Sequence, residues 1–159
     1  MSLTFSSPAF AHHGEIPEAH TCDGANTHPP LAWSGAPAGT RSLVLIVDDP
    51  DAPDPRAPTH THVHWVLYDI SPTIAGLPSG EGIPTGAREG LNSWKQRGYG
   101  GPCPPTGKHR YFFKLYALDK TLGELDAPTK DSVEKALRGH VLEQAELIGT
   151  DERVTAGRT

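Results

Sequence analysis

Residues 100–119 read GGPCPPTGKHRYFFKLYALD and join a proline-rich turn to an aromatic strand. The turn is not a nucleotide-binding P-loop, in which four residues separate the first glycine from the Gly-Lys pair and Ser or Thr follows. Here five residues separate Gly101 from Gly107-Lys108, and His109 follows. Pro102, Pro104 and Pro105 also lack the N–H groups with which such a loop cradles phosphate. The stretch therefore predicts a stiff turn that delivers residues 109–111 into a strand.

Three apolar segments predict the centre of a β-sheet. They are rich in β-branched and aromatic residues and are bounded by glycine, proline or aspartate. These segments are residues 42–49, 62–70 and 111–119. Residues 3–7 and 31–35 are weaker strand candidates, and a composition with 17 glycines and 16 prolines is typical of a β protein with long loops.

One amphipathic helix is predicted over about residues 131–148. Apolar residues recur there every three or four positions, at Val133, Leu137, Val141, Ala145 and Ile148. Asp131 lies near the predicted start and Gly149 just past the predicted end. Residues after Gly149 are expected to form a short strand or to fray. The length predicts a single domain over residues 1–159, mainly β with one helix.

Composition and charge exclude several classes of function. The chain has 14 Lys and Arg against 19 Asp and Glu, so its formal charge of -5 argues against nucleic-acid binding. No segment approaches the roughly 20 apolar residues of a membrane span, and the first ten residues do not form a signal peptide. We expect a soluble protein in the cytoplasm, and a processed periplasmic form would have the same composition.

Two cysteines, Cys22 and Cys103, are too few for a disulfide framework or a four-thiolate zinc site. Both lie in loop-like sequence. Either they are unrelated thiols, or the two loops meet and the thiols can pair under oxidation. The spacing of the cysteines does not decide between these alternatives.

Strand alternation along residues 60–70 predicts which side chains share a face. His60, His62 and His64 are expected on one face, and Val63, Trp65 and Leu67 on the other. Trp65 is therefore expected in the core.

Neighbouring strands would bring Asp49, His64 and His109 together at one rim of the sheet. An imidazole held beside Asp49 should have a raised pKa and bind anions more strongly as the pH falls.

Three chemistries could use this cluster. A metal-dependent enzyme would bind its ion through His62, His64 and His109, but the next acidic residue, Asp69, is expected on the wrong face. A hydrolase would need a nucleophile, and the chain has no Gly-x-Ser-x-Gly motif. Non-covalent recognition of an anion needs only the histidines, hydroxyls and loop amides that are present. We favour this non-catalytic interpretation, without metal or cofactor, and keep the enzyme as the alternative.

Four stretches of the sequence form long motifs in a fixed order. They are CDGANTHPPLAWSGAP (22–37), DDPDAP (48–53), VHWVLYDI (63–70) and NSWKQRGYGGPCPPTGKHRYFFKLYALD (92–119). These motifs resemble the phosphatidylethanolamine-binding protein family, specifically its bacterial Raf kinase inhibitor-like branch. They span residues 22–119 of the chain, and long motifs in the right order are far more specific than a single short one.

The resemblance implies a Greek-key β-sandwich with a pocket for small anions and phospholipid head groups. The ligand-binding residues it implies are Asp49, Pro53, His64, Cys103, His109 and Tyr111. Additional candidates are Asp51, His62, Gly101 and Pro102. His62 stands where animal members carry tryptophan, and Cys103 where they carry a second proline, so the pocket is expected to be smaller and more polar.

The resemblance also suggests two kinds of protein partner. The first is an unknown protein that this chain would regulate or inhibit. The second is another copy of the chain, because the helix that covers the pocket in animal members has no counterpart here and a homodimer could supply the cover.

Overall fold

The computed structural model describes residues 3–80 and 82–152. The strands are β1 (Thr4–Ser6), β2 (Gly14–Glu15), β3 (Leu31–Ser34), β4 (Ser42–Ala52), β5 (His60–Ile70), β6 (Gly76–Leu77), β7 (Arg88–Glu89), β8 (His109–Leu118) and β9 (Val141–Asp151). One α-helix, α1 (Lys130–Leu137), lies in the described part of the chain, together with a single 3₁₀ turn at Glu18–His20. The predicted mainly β fold with one helix is confirmed.

The strands form two sheets. The large sheet has the order β2-β9-β8-β4-β5-β7, and the small sheet has the order β1-β3-β6. All pairs are antiparallel except β2 with β9. The three segments predicted as the sheet centre are adjacent as β5, β4 and β8, and both weaker candidates are strands.

The large sheet is buried on both faces around β4. Its inner face packs on the small sheet through residues such as Leu45, Trp33 and Phe113. Its outer face packs on α1, where Val133 and Leu137 meet a separate apolar cluster. This double burial explains why residues 43–47 of β4 form an unbroken apolar run instead of an alternating one.

The predicted helix over residues 131–148 is wrong beyond Leu137. Gly139 takes a positive φ of 84°, a conformation that glycine adopts at little cost, and the chain then turns back as β9. β9 pairs with β8 from Leu118↔Val141 to His109↔Asp151, so its backbone hydrogen bonds come from a distant segment. Residues 153–159, where the sequence predicts a frayed end or a strand, lie outside the described residues.

The helix does begin as expected. Thr129 is the N-cap, and its side-chain oxygen accepts a hydrogen bond from the Ser132 N–H at 3.3 Å. Asp131 lies in the first turn, where the helix dipole favours an acidic residue.

A β-bulge changes the faces predicted for β5. Asp48 pairs with Val63 and Val47 with Trp65, so one extra residue, His64, lies between them. Trp65 and Leu67 consequently pack in the inner cluster, whereas Val63 packs in the outer cluster. The prediction that Val63 shares a face with Trp65 and Leu67 is wrong, whereas Trp65 lies in the core as expected.

No helix in the described part of the chain is long and apolar enough to cross a membrane.

Gly149→Ala should destabilise the fold. A Cβ at this position of β9 would lie 2.6 Å from Cγ1 of Ile16 and 2.8 Å from Cε2 of Phe10. Overpacking of this kind costs about 1–3 kcal/mol of unfolding free energy, which urea denaturation would measure. Gly82→Ala is the control, since no described atom lies within 4 Å of its added Cβ. Equal stability of the two variants would contradict the packing.

Candidate functional site

A cavity of about 310 Å³ lies where β4 ends and where β5 and β8 begin. The proline turn that precedes β8 and one tryptophan from the loop after β7 complete its wall. The lining residues are Asp49, Ala52, Pro53, His60, His62, His64, Trp94, Cys103, Pro104, Pro105, His109 and Tyr111.

The structure brings most of the sequence-predicted site residues to this cavity. Asp49, Pro53, His64, Cys103, His109 and Tyr111 line it, and so does His62 from the additional candidates. Asp51, Gly101 and Pro102 are not among the lining residues. That the lining residues contact a ligand stays a prediction.

The three candidates outside the lining support the wall of the cavity. Asp51 accepts three hydrogen bonds of 2.9 Å from Arg110, two from the guanidinium and one from the backbone. The Gly101 N–H donates to Asn26 Oδ1 at 2.8 Å, and the Pro102 carbonyl accepts from the Cys22 N–H at 3.0 Å. These contacts hold the loops on either side of the cavity.

Trp94 is the main lining residue that the sequence analysis missed. Its loop lacks any apolar period, so no element could be assigned to it. The signal that could have indicated Trp94 was a large aromatic residue in an otherwise polar loop. In the structure Trp94 is 45% exposed. Ala52, His60, Pro104 and Pro105 were also absent from the predicted ligand contacts.

Asp49 and His109 form a buried pair at the inner end of the cavity. The Nδ1–H of His109 donates to Asp49 Oδ2 at 2.6 Å, and His109 Nε2 lies 2.8 Å from the carbonyl oxygen of Thr106. Both ring nitrogens therefore face oxygen acceptors, and the imidazolium form can donate to both. Burial raises the pKa of the Asp49 carboxyl, and the hydrogen bond from His109 opposes that rise.

His64 is neutral, with its tautomer set by the backbone. Its Nδ1–H donates to the carbonyl of Gly100 at 2.7 Å. Burial lowers the pKa of His64 to about 3, with a smaller contribution from His62. Because Nδ1 carries the proton, Nε2 holds a lone pair. The expectation that Asp49 raises the pKa of an imidazole held beside it does not apply to His64, since Asp49 pairs with His109.

His62 carries a buried nitrogen without a protein partner. Its Nε2 makes no hydrogen bond to any residue that the structure describes. Its ring packs edge to face against Trp94 at 4.3 Å and against His64 at 4.8 Å. Burial lowers the pKa of His62, and His60 nearby lowers it further. The side chain is therefore uncharged near neutral pH.

Tyr111 is a buried tyrosine in the cavity wall. It is 1% exposed, and its ring meets the His64 ring edge to face at 5.2 Å. Burial raises the pKa of Tyr111, with Asp49 as the next contributor. The hydroxyl therefore keeps its proton and remains a hydrogen-bond donor.

The histidines do not assemble into a metal centre in this geometry. Across residues 3–80 and 82–152, no three His, Cys, Asp or Glu side chains are grouped as a metal site requires. Both nitrogens of His109 face protein oxygens, which removes it from the hypothetical ligand set with His62 and His64.

Cys22 and Cys103 form a disulfide, which decides between the alternatives left open by the sequence. Cys103 belongs to the proline turn in the cavity wall, and Cys22 follows the 3₁₀ turn. The bond therefore ties the wall of the cavity to the N-terminal part of the chain, 81 residues away.

With this fold and cavity in place, comparison with known proteins identifies the family. The family model described as phosphatidylethanolamine-binding protein matches residues 6–152. The chain belongs to this family, as the resemblance of its motifs predicts. Members of the family are generally non-catalytic binding proteins.

The relatives match over almost the whole chain. A UPF0098 protein of Methanothermobacter thermautotrophicus is 44% identical over 155 residues, covering 95% of this chain and 99% of that protein. A UPF0098 protein of Chlamydia pneumoniae is 45% identical over 147 residues, covering 92% and 97%. They come from an archaeon and a bacterium, so the similarity does not assign the chain to bacteria.

Two solved structures share the fold. A putative phosphatidylethanolamine-binding protein homologue of Chlamydia trachomatis superposes with a TM-score of 0.90 at 40% identity, covering 96% of this chain and 99% of that one. The E. coli protein YBCL, described as a new member of the mammalian family, gives 0.86 at 32% identity, covering 97% and 100%.

Stability should fall as the pH drops from 7 to 5 because of His64. Its pKa is about 3 in the folded protein and about 6.5 when unfolded, so the unfolded chain binds an extra proton in this window. Linkage then removes about 2 kcal/mol of unfolding free energy between pH 7 and 5. Urea denaturation at several pH values would measure the slope.

His64→Gln removes the titrating group and should flatten this slope, while carboxyl groups act mainly at lower pH. His140→Gln, which removes an exposed histidine, is the control. A His64→Gln slope equal to that of the wild type would contradict the neutral, buried state of His64.

Breaking the disulfide should lower the stability of the protein. Cys22→Ala frees a loop of 81 residues and should cost about 2–4 kcal/mol, seen as a lower thermal midpoint. Dithiothreitol should lower the wild-type midpoint to that of the variant and leave the variant unchanged. A wild-type midpoint insensitive to the reductant would show that the bond is absent in solution.

Proposed function

We propose that the protein is a non-catalytic binding protein whose cavity takes a small phosphate-containing head group. One observation carries this proposal, the convergence of Asp49, His64, His109 and Tyr111 at the inner end of the cavity. All four are at most 3% exposed, and burying such groups is favourable only when they are hydrogen-bonded or serve a ligand. The cavity volume suits a small ligand.

The cavity offers a phosphate both donors and an acceptor. The Tyr111 hydroxyl donates, and the Cys103 N–H is the single backbone donor that the sequence Pro102-Cys103-Pro104-Pro105 can supply. The lone pair on His64 Nε2 accepts from the P–OH of a singly protonated phosphate. Recognition of this kind depends on hydrogen bonds more than on charge.

The hydrogen bonds of His109 support binding over catalysis. A general base needs a lone pair within reach of the substrate proton. His109 instead directs Nδ1 to Asp49 and Nε2 to Thr106. In this proposal the Asp49–His109 pair gives the cavity wall its shape and polarity, and no bond of the ligand is broken.

The disulfide bears on the cellular compartment of the protein. A cytoplasmic location is the simplest prediction from the sequence. Disulfides persist mainly in oxidising compartments, so the Cys22–Cys103 bond favours the periplasmic alternative. Regulation or inhibition of a partner protein, and pairing as a homodimer, stay predictions.

Calorimetric titration with inorganic phosphate and phosphoethanolamine tests the proposed ligand class. Tyr111→Phe should weaken binding of both by about tenfold, because a donor to a charged oxygen is lost. Tyr116→Phe is the matched control, since this tyrosine lies on the same strand but packs in the outer cluster. No binding by the wild type, or equal affinity of Tyr111→Phe and the wild type, would overturn the proposal.

The same titration should show a particular pH dependence. His64 stays neutral well below pH 5.5, so acidification from pH 8 to 5.5 acts on the ligand, whose second pKa is about 6. Binding of the monoester should strengthen as it gains the P–OH proton. A diester, glycerophosphoethanolamine, has no such proton, so its binding should change less over the same pH range. Equal slopes for monoester and diester would contradict the role of His64.

A further inference from the structure

The mouth of the cavity holds a second pair of side chains that the phosphate position does not use. His62 and Trp94 both line the cavity, and their rings meet edge to face at 4.3 Å. His62 Nε2 is buried and has no hydrogen-bond partner in the described part of the chain. A buried polar atom in this state favours a ligand that can pair with it.

Trp94 is held in place although its side chain is 45% exposed. A Cβ at Gly100 would lie 2.3 Å from Trp94 Cζ3, so the indole rests directly on the backbone of Gly100. Its ring also meets the His64 ring at 5.3 Å. The indole therefore presents a fixed aromatic surface beside the unpaired nitrogen, and it loses little conformational freedom when a ligand packs on it.

A hydroxyl group fits this pair better than an ammonium group does. A hydroxyl both donates and accepts, so it satisfies His62 Nε2 in either neutral tautomer. An ammonium group only donates and needs acceptors or a nearby free carboxylate. Asp49 is the single acidic residue in the described lining, and its oxygens already accept from His109 and from the Asp51 N–H.

The aromatic surface does not reverse this preference. An exposed indole attracts a cation only weakly, whereas an unpaired buried polar atom is costly to leave unsatisfied. The carbon skeleton of an alcohol can pack on the indole while its hydroxyl reaches His62.

We propose that His62 and Trp94 form a hydroxyl-binding subsite beside the phosphate position, so that the cavity selects phosphate esters of polyols over those of amino alcohols. This inference rests on the proposed function. The His62 and His64 rings are 4.8 Å apart, which places the subsite within reach of the alcohol part of a small phosphate ester.

Calorimetric titration with three probes tests the subsite: inorganic phosphate, phosphoethanolamine and sn-glycerol 3-phosphate. The wild type should bind glycerol 3-phosphate about tenfold more tightly than phosphoethanolamine, as one good hydrogen bond to a buried partner provides. His62→Phe keeps the ring contact with Trp94 and should abolish this preference. Its affinity for inorganic phosphate, which has no alcohol part, should stay at the wild-type value.

His140→Phe is the control, because His140 is an exposed histidine outside the cavity lining. It should keep the preference for glycerol 3-phosphate. Trp94→Leu should weaken both esters and leave inorganic phosphate unchanged.

The outcomes separate the subsite from the proposed function. If inorganic phosphate binds but the wild type shows no preference for glycerol 3-phosphate, or His62→Phe keeps that preference, the subsite is wrong and the phosphate site stands. If inorganic phosphate does not bind the wild type, both are overturned.

Discussion

Three buried carboxylates at the end of β4 organise the end of the protein that holds the cavity. The apolar run of the central strand ends at Asp48, Asp49 and Asp51, all of which stay inside the fold. Unpaired buried charges are very costly, so each needs its own partner. Asp48 contacts Lys114 and Lys130, Asp49 contacts His109, and Asp51 contacts Arg110. Three of these partners come from β8, which fixes the start of that strand and the proline turn before it.

This pairing determines the chemical character of the cavity. Asp49 pairs with His109 and not with His64. Burial therefore determines the protonation of His64 and keeps its imidazole neutral, with the lone pair on Nε2. The described wall of the cavity consequently combines Tyr111, Cys103 and His64 with the Asp49–His109 pair, and its lining contains no Lys or Arg. In the proposed ligand site, selectivity would come from how many polar atoms of the ligand find a partner, and less from its net charge.

Residues 141–148 show that apolar periodicity alone does not distinguish a helix from a strand. Val141, Ala145 and Ile148 have helical spacing, yet Ala145 and Leu147 also alternate correctly for a strand facing the core. Ten paired residues on β8 decide between the two, since they satisfy the backbone of the whole segment. Gly149, which has the position of a helix stop in the sequence, instead leaves room for Ile16 and Phe10.

The sequence by itself determined the central strands, the stiff turn before His109, the family and most residues of the cavity wall, because these depend on local composition and on long motifs in order. Only the tertiary structure decided that residues 141–151 form a strand, that His64 is the bulged residue of β5, and that Asp49 pairs with His109. It also joined Cys22 to Cys103 and brought Trp94 to the cavity. Each of these features depends on contacts between segments far apart in the chain, and the free energy of those contacts is not encoded in any short stretch of residues.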